Sequence, residues 1–287
     1  MLINGRVCEF FLNFEANFPL VWLFGVGIIG CMVGSFLNVV IYRLPLMLER
    51  RWQREAMLQL GQTVPAALIP FNLMLPRSCC PHCSQQLRIR DNVPLLSYLF
   101  LKGKAHCCGK RIPFHYPLVE MICIVLFVLT SWKFSPGLLL IGAWVLLSML
   151  LVLAFIDYRT HLLPDTLTLP LLWLGLLFNL SDGYVSLEQA VMGAILGYLC
   201  LWSLYWLFRW IANKETLGYG DFKLLAALGA WMGWQAIPQI LLVAAGSGLI
   251  VILLLRYLTQ TKTNINDPLA FGPWLVLGAG SYFMISI

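Results

Sequence analysis

Charged side chains are what this chain has least of: they make up 11% of 287 residues, against 60% hydrophobic ones, and the mean hydropathy is +0.81. That balance excludes a soluble globule and leaves a polytopic membrane protein. Histidine is nearly as scarce. The four, at positions 82, 106, 115 and 161, form no His-Glu-x-x-His pair, which argues against a zinc metalloprotease. No internal repeat is visible, and no phosphate loop or dinucleotide-type glycine motif marks a nucleotide pocket.

What is present in quantity is apolar sequence in helix-length runs. A hydrocarbon layer about 30 Å thick needs about 20 apolar residues at 1.5 Å each. Eight stretches qualify as spans, some of them short: 16–42, 117–132, 137–156, 166–180, 187–208, 222–234, 237–255 and 269–287. The first has no basic n-region and exceeds a secretory h-region, so it reads as a retained span. The uncharged run 224–255 is too long for one helix and is expected to divide near Trp234 and Pro238. The expected fold is an all-α polytopic membrane protein of about eight transmembrane helices with one cytoplasmic loop domain, a candidate for binding zinc. Its expected domains are an N-terminal span (1–42), a Cys-containing module (43–116) and a multi-helix membrane domain (117–287).

Basic residues set the orientation, because Lys and Arg accumulate in short cytoplasmic loops. With the N-terminus outside, 17 of the 19 fall inside and only Arg6 and Lys133 outside. This threading places two acids on the cytoplasmic face. Asp157 closes the uncharged run 134–156, and Asp221, in Gly218-Tyr-Gly-Asp221, opens the third from last span. An ionisable group at the edge of hydrocarbon usually has a task. Two carboxylates sharing a proton are the machinery of aspartic proteases.

Each motif also has a plainer reading. An acid near a helix N-terminus compensates the dipole, which accounts equally for Asp221 and for Glu120. Pro164 breaks the stripe Asp157, His161, Asp165. His161 then reads as a solvated loop residue, Asp165 as an N-cap and Lys223 as a cytoplasmic anchor. Were the pair catalytic, helix ends would favour Asp221 as the anion and Asp157 as the acid. A proton-coupled transporter would place its acids near mid-span at a repeat interface, whereas these lie at span ends.

The module 43–116 is rich in Pro, Cys and basic residues, and residues 47–61 look helical. Cys80-Pro-His-Cys83 has zinc-knuckle spacing, and Cys107 and Cys108 follow, so four thiolates are candidates for one tetrahedral site. The spacing is imperfect. A second Cys-x-x-Cys ending at Cys108 would begin at Ala105, so the fourth ligand is left open among Cys107, His106, Cys79 and His82, or the site does not close. A reducing cytosol argues against disulfides. Cys8, Cys31, Cys123 and Cys200 lie in or near apolar segments and read as small hydrophobes.

Seven motifs occur in order from Gly34 to Pro273. They are Gly34-Ser-Phe-Leu-Asn38 through Arg43-Leu-Pro45, Cys80-Pro-His-Cys83, Asp91-Asn92-Val-Pro94 through Tyr98, Tyr116-Pro-Leu-Val-Glu120, Asp157 with Leu163-Pro-Asp165, Gly218-Tyr-Gly-Asp221-Phe-Lys223 and Phe271-Gly-Pro273. Together they resemble the type IV prepilin peptidase family, the leader peptidases and N-methyltransferases of pilus and type II secretion systems. The resemblance implies Asp157 and Asp221 as the catalytic pair. It also implies cleavage of a basic leader after Gly at the cytoplasmic face of the bacterial inner membrane, then N-methylation of the new terminus with S-adenosylmethionine. The expected partners are prepilin or pseudopilin substrates and membrane lipid, with no nucleic acid. Nothing in the sequence assigns the methyl donor's residues, the particular pilin or the oligomeric state. A peptidase without methyltransferase activity is the alternative reading.

Overall fold

The computed structural model describes residues 2–62, 71–80, 82–83, 85–87, 93–212, 218–259 and 270–287. Of the motif residues quoted above, Pro81, Asp91 and Asn92 lie outside these. Among the described residues the chain is helical and forms no strand, only isolated antiparallel bridges between Cys79 and Gln86 and between Lys104 and Arg111. It divides into two units, Met1–Leu140 and Ile141–Ile287.

The first unit holds α1 (Leu2–Asn17), α2 (Pro19–Gln59), α3 (Leu96–Phe100) and α4 (His115–Lys133). Neither α1 nor its packing against α2, where Phe11 meets Trp22 at 6.0 Å, was foreshadowed by the hydropathy. The first apolar stretch from Pro19 onward and the expected helical segment as far as Gln59 are one helix, which runs through Pro45. Small residues set the packing of α2 on α4. A Cβ on Gly34 would fall 2.8 Å from the Glu120 Cα, and one on Gly30 would fall 3.0 Å from the Ile124 Cα. Gly at four-residue spacing is what lets two membrane helices touch backbone to backbone.

The second unit contains α5 (Leu138–Thr160), α6 (Asp165–Leu180), α7 (Leu187–Ala212), α8 (Tyr219–Met232), α9 (Ala236–Thr259) and α10 (Gly272–Ser286). At 14 residues α8 rises about 21 Å, short of a full hydrocarbon crossing. Beyond its first turn it is apolar all round, and every residue from Asp221 to Met232 except Lys223 is buried, so neighbouring helices rather than lipid surround it. Gly193 and Gly197 bring α7 against its backbone at Gly229 and Leu225. On the α6 side, Trp231 donates its indole N–H to the Leu171 carbonyl at 2.8 Å. Asn179 caps the far end: its Nδ2 donates to the Ala230 carbonyl at 2.8 Å and its Oδ1 accepts the Tyr184 N–H at 2.8 Å. The long uncharged run divides at Gly233, whose φ of +81° ends α8, and Pro238 falls in the first turn of α9.

Among the described residues, each of the eight apolar stretches lies for most of its length on one helix. Five helices, α2, α4, α5, α7 and α9, are long and apolar enough to cross a membrane, while α6 is apolar but shorter. The chain is therefore a multi-pass, all-helical membrane protein.

Candidate active site

Asp157 lies three residues before the end of α5 and is buried, at 5% exposure. The helix stops because His161 takes a φ of +53° while its N–H still donates to the Asp157 carbonyl at 2.8 Å. Residues 162–164 then run without regular structure to Pro164, whose fixed φ starts α6. Asp165 is not the N-cap expected from the sequence. It is the first helical residue, and both of its carboxylate oxygens accept hydrogen bonds from Lys223 Nζ at 2.7 Å. Lys223, two residues beyond Asp221, thus ties the start of α8 to the start of α6.

Asp221 lies in the first turn of α8 and is 7% exposed. Gly218 precedes the helix in extended conformation, and its N–H reaches the Asp221 carboxyl. Phe222 packs edge to face with Tyr205 and Tyr219, whose own rings are tilted to each other, with centroids 5.4–5.8 Å apart, and the three seat this turn on α7. Gly220 has a steric role: a Cβ there would stand 2.7 Å from the Leu163 Cβ. The turn that follows Asp157 is therefore pressed onto the residue that precedes Asp221. The two carboxyls, 64 positions apart in the chain, lie within each other's electrostatic field. Among the described residues neither has a salt-bridge partner.

Helix ends do not separate the two acids as the sequence suggested. The Oδ2 of Asp157 accepts the Gly272 N–H at 2.8 Å, so this acid meets the N-terminus of α10 although it sits at the C-terminus of its own helix. Both carboxyls then have a backbone donor that favours the anion. Two nearby acids that cannot easily ionise together share a proton. Such a pair can act as a base toward water through one member and donate a hydrogen bond to a carbonyl through the other.

A second cluster lies in the first unit. The sulfurs of Cys80, Cys83, Cys107 and Cys108 are all within 4.8 Å of one another, with Cys83 to Cys107 at 3.3 Å and Cys80 to Cys108 at 3.8 Å. Sulfurs at tetrahedral corners about 2.3 Å from one zinc would stand about 3.8 Å apart, so the set fits a Cys₄ site. The displaced spacing at Ala105 is resolved by the second knuckle. Ala105 is buried, the Lys104 to Arg111 bridge closes the loop, and Gly109 takes a φ of +69°, so the adjacent Cys107 and Cys108 both join the cluster. Burial works against ionising the Cys80 thiol, but the N–H groups of His82 and Cys83 and the nearby thiols outweigh it and bring it down to about 6. The Cys107 thiol is pushed up to about 12, chiefly by its hydrogen bond with Cys83. In this arrangement thiolate and thiol share protons that a divalent metal would displace.

Two motif residues prove to be fastenings of the first unit. Arg43, buried, donates to the carbonyls of Asn72 at 2.9 Å, Leu73 at 3.3 Å and Pro76 at 2.7 Å, and so holds the segment leading to Cys80. Glu120 is not in the first turn of α4. It is buried, accepts the Leu95 N–H at 2.8 Å, and takes further hydrogen bonds from Ser35 and Asn38 of α2. Gly272 is the site residue that the composition and hydropathy passed over, although its Phe271-Gly-Pro273 context had been noted.

Comparison with known proteins agrees with this division. Residues 28–134 match the model of the bacterial peptidase A24 N-terminal domain, and residues 144–253 match that of the type IV leader peptidase family. The chain is 51% identical over 276 residues to a prepilin leader peptidase/N-methyltransferase of Dickeya chrysanthemi, covering 96% of this chain and 97% of the relative. It is 54% identical over 273 residues to the protein of the same description from Pectobacterium carotovorum, covering 95% and 96%. With that of Klebsiella pneumoniae it shares 53% over 233 residues, 81% of this chain and 95% of the relative. No solved structure matches it significantly. The chain is an enzyme of the type IV leader peptidase family.

Proposed function

We propose that Asp157 and Asp221 form an aspartic dyad that cleaves the basic leader from type IV prepilins or type II secretion pseudopilins, after Gly, at the cytoplasmic face of the bacterial inner membrane. One observation carries the reading: two buried acids from separate helices, each with a backbone N–H donor and no salt bridge among the described residues, are held within each other's field. One carboxylate takes a proton from water as it attacks the scissile carbonyl, and the protonated partner hydrogen-bonds the carbonyl oxygen. The apolar stretches thread the membrane with the N-terminus outside, which puts the end of α5 and the starts of α6 and α8 at the cytoplasmic surface. Residues 1–42, 43–116 and 117–287 then serve as anchor, cytoplasmic module and peptidase domain.

The relatives' description extends the proposal to N-methylation of the freed amino terminus, with S-adenosylmethionine as the consumed methyl donor. In the module, Cys80, Cys83, Cys107 and Cys108 hold a structural zinc, which when bound supplies a cross-link between the two knuckles. The test is to incubate detergent-solubilised enzyme with a prepilin and labelled S-adenosylmethionine, following leader release and label transfer together. Asp157→Asn and Asp221→Asn are each expected to abolish leader release while leaving membrane insertion intact. Normal processing by either variant refutes the dyad.

A further inference from the structure

Gly272 begins α10, 115 positions beyond Asp157 and outside the 144–253 stretch that matches the leader peptidase family. Three observations converge on it. Its N–H donates to Asp157 Oδ2 at 2.8 Å in a buried hydrogen bond. A Cβ at this position would lie 2.6 Å from that same oxygen, 3.1 Å from the carboxyl carbon and 3.2 Å from the Asp157 Cβ. The donor is also the first residue of a helix of 15, so the partial positive charge of that terminus is aimed at the carboxyl. No unusual φ requires glycine here. The carboxyl group occupies the space where any side chain would begin.

We infer that Gly272 is a positioning residue of the dyad: its backbone N–H at the start of α10 fixes the rotamer of Asp157 and sustains its negative charge, making α10 a structural part of the peptidase site. This rests on the dyad reading. An acid at the C-terminal end of its own helix faces that helix's partial negative charge, and the opposed terminus of α10 offsets it. A charge-assisted hydrogen bond at a fixed angle also keeps one oxygen engaged, so that Oδ1 is the one available to water. The groups bearing on this carboxyl are the Asp221 carboxyl from α8 and His161 just beyond α5.

Two variants separate the bond from the space. Replacing the 272 amide with an ester, by cell-free translation into nanodiscs with an α-hydroxyacyl tRNA, deletes the N–H and adds no volume. Gly272→Ala keeps the N–H but places a methyl group on Oδ2. A charge-assisted hydrogen bond is worth enough that the ester should lower kcat for prepilin cleavage by about 10- to 100-fold per folded enzyme, with KM within about threefold. Gly272→Ala should lose about 100-fold or more, because it displaces the carboxyl itself. Gly280→Ala, on the same helix with nothing within 4 Å of its Cβ, should match the wild type. An ester variant with wild-type kcat overturns the inference, and so does one whose KM rises while kcat holds. Asp157→Asn run in parallel keeps the two readings apart. If it is inactive while the ester variant is normal, the dyad stands and only the role of Gly272 fails.

Discussion

Substituting Gly197 with alanine would test whether the depth of Asp221 is set by the crossing of α7 and α8. The ideal Cβ at position 197 lies 2.6 Å from the Leu225 carbonyl oxygen, 2.9 Å from its carbon and 3.1 Å from the Ala226 Cα. Carbon and a carbonyl oxygen rest at about 3.3 Å or more, so α7 and α8 must part by about 0.7 Å. The obstacle is backbone, which cannot swing aside as a flexible side chain would. Overpacking of this kind costs about 1–3 kcal/mol. Leu225 is one helical turn from Asp221, so the displacement reaches the carboxyl, and an error approaching 1 Å in a reacting group costs about 100-fold in rate. Gly197→Ala is thus expected to melt several degrees lower in detergent and to cleave a prepilin at roughly one-tenth to one-hundredth of the normal rate. Gly246→Ala on α9, where nothing lies within 4 Å of the Cβ, is the control and should leave both unchanged or raise stability slightly. A Gly197→Ala enzyme that melts and cleaves like the wild type would show that the helices do not meet as described.

The remaining predictions concern the two fastened ends of the site and the cysteine module. Cys80→Ser, which removes the buried member of the cluster, should lower zinc released by a mercurial from about one per chain to near zero after dialysis. Stoichiometric zinc in that variant removes Cys80 from the site. Lys223→Ala should cost less than about 1 kcal/mol in melting experiments, because the side chains of its pair with Asp165 are 30% and 55% exposed. Cleavage should nevertheless fall severalfold as the starts of α6 and α8 lose their register. The exchanged pair, Asp165→Lys with Lys223→Asp, should recover part of kcat/KM in a double-mutant cycle, and strict additivity would argue against coupling.

The two acids were legible because an isolated charge beside some twenty uncharged residues stands out whatever the fold. The apolar stretches were legible for the same reason, and each lies for most of its length on one helix. Their continuation was less so. Pro45 and the basic residues after Arg43 look like the end of a span, yet α2 continues, because one proline removes a single backbone bond and an aqueous helix tolerates Arg and Glu, as the Arg51–Glu55 pair at 2.8 Å shows. Asp165 fits an N-cap by residue type, but its partner Lys223 is 58 positions away and invisible to local rules. The cluster at Cys107 and Cys108 was obscured by a regular-spacing template, since a left-handed Gly109 and a single bridge do what the missing Cys-x-x-Cys would have done. Gly272 could not be seen from composition, because its contribution is a main-chain N–H and the absence of a methyl group.

The 41 residues of α2 form a rod about 60 Å long, twice the thickness of the oily layer it enters. With residues 19–42 taken up by that layer, the last 25 Å or so continues beyond it as helix, fastened at Arg43 and mostly exposed from Glu49 to Gln59. Swivelling at the lipid surface would need the helix to melt locally, so a probe attached near Gln59 should report a narrow distribution of heights above the bilayer, as a stiff spar does and a tether does not.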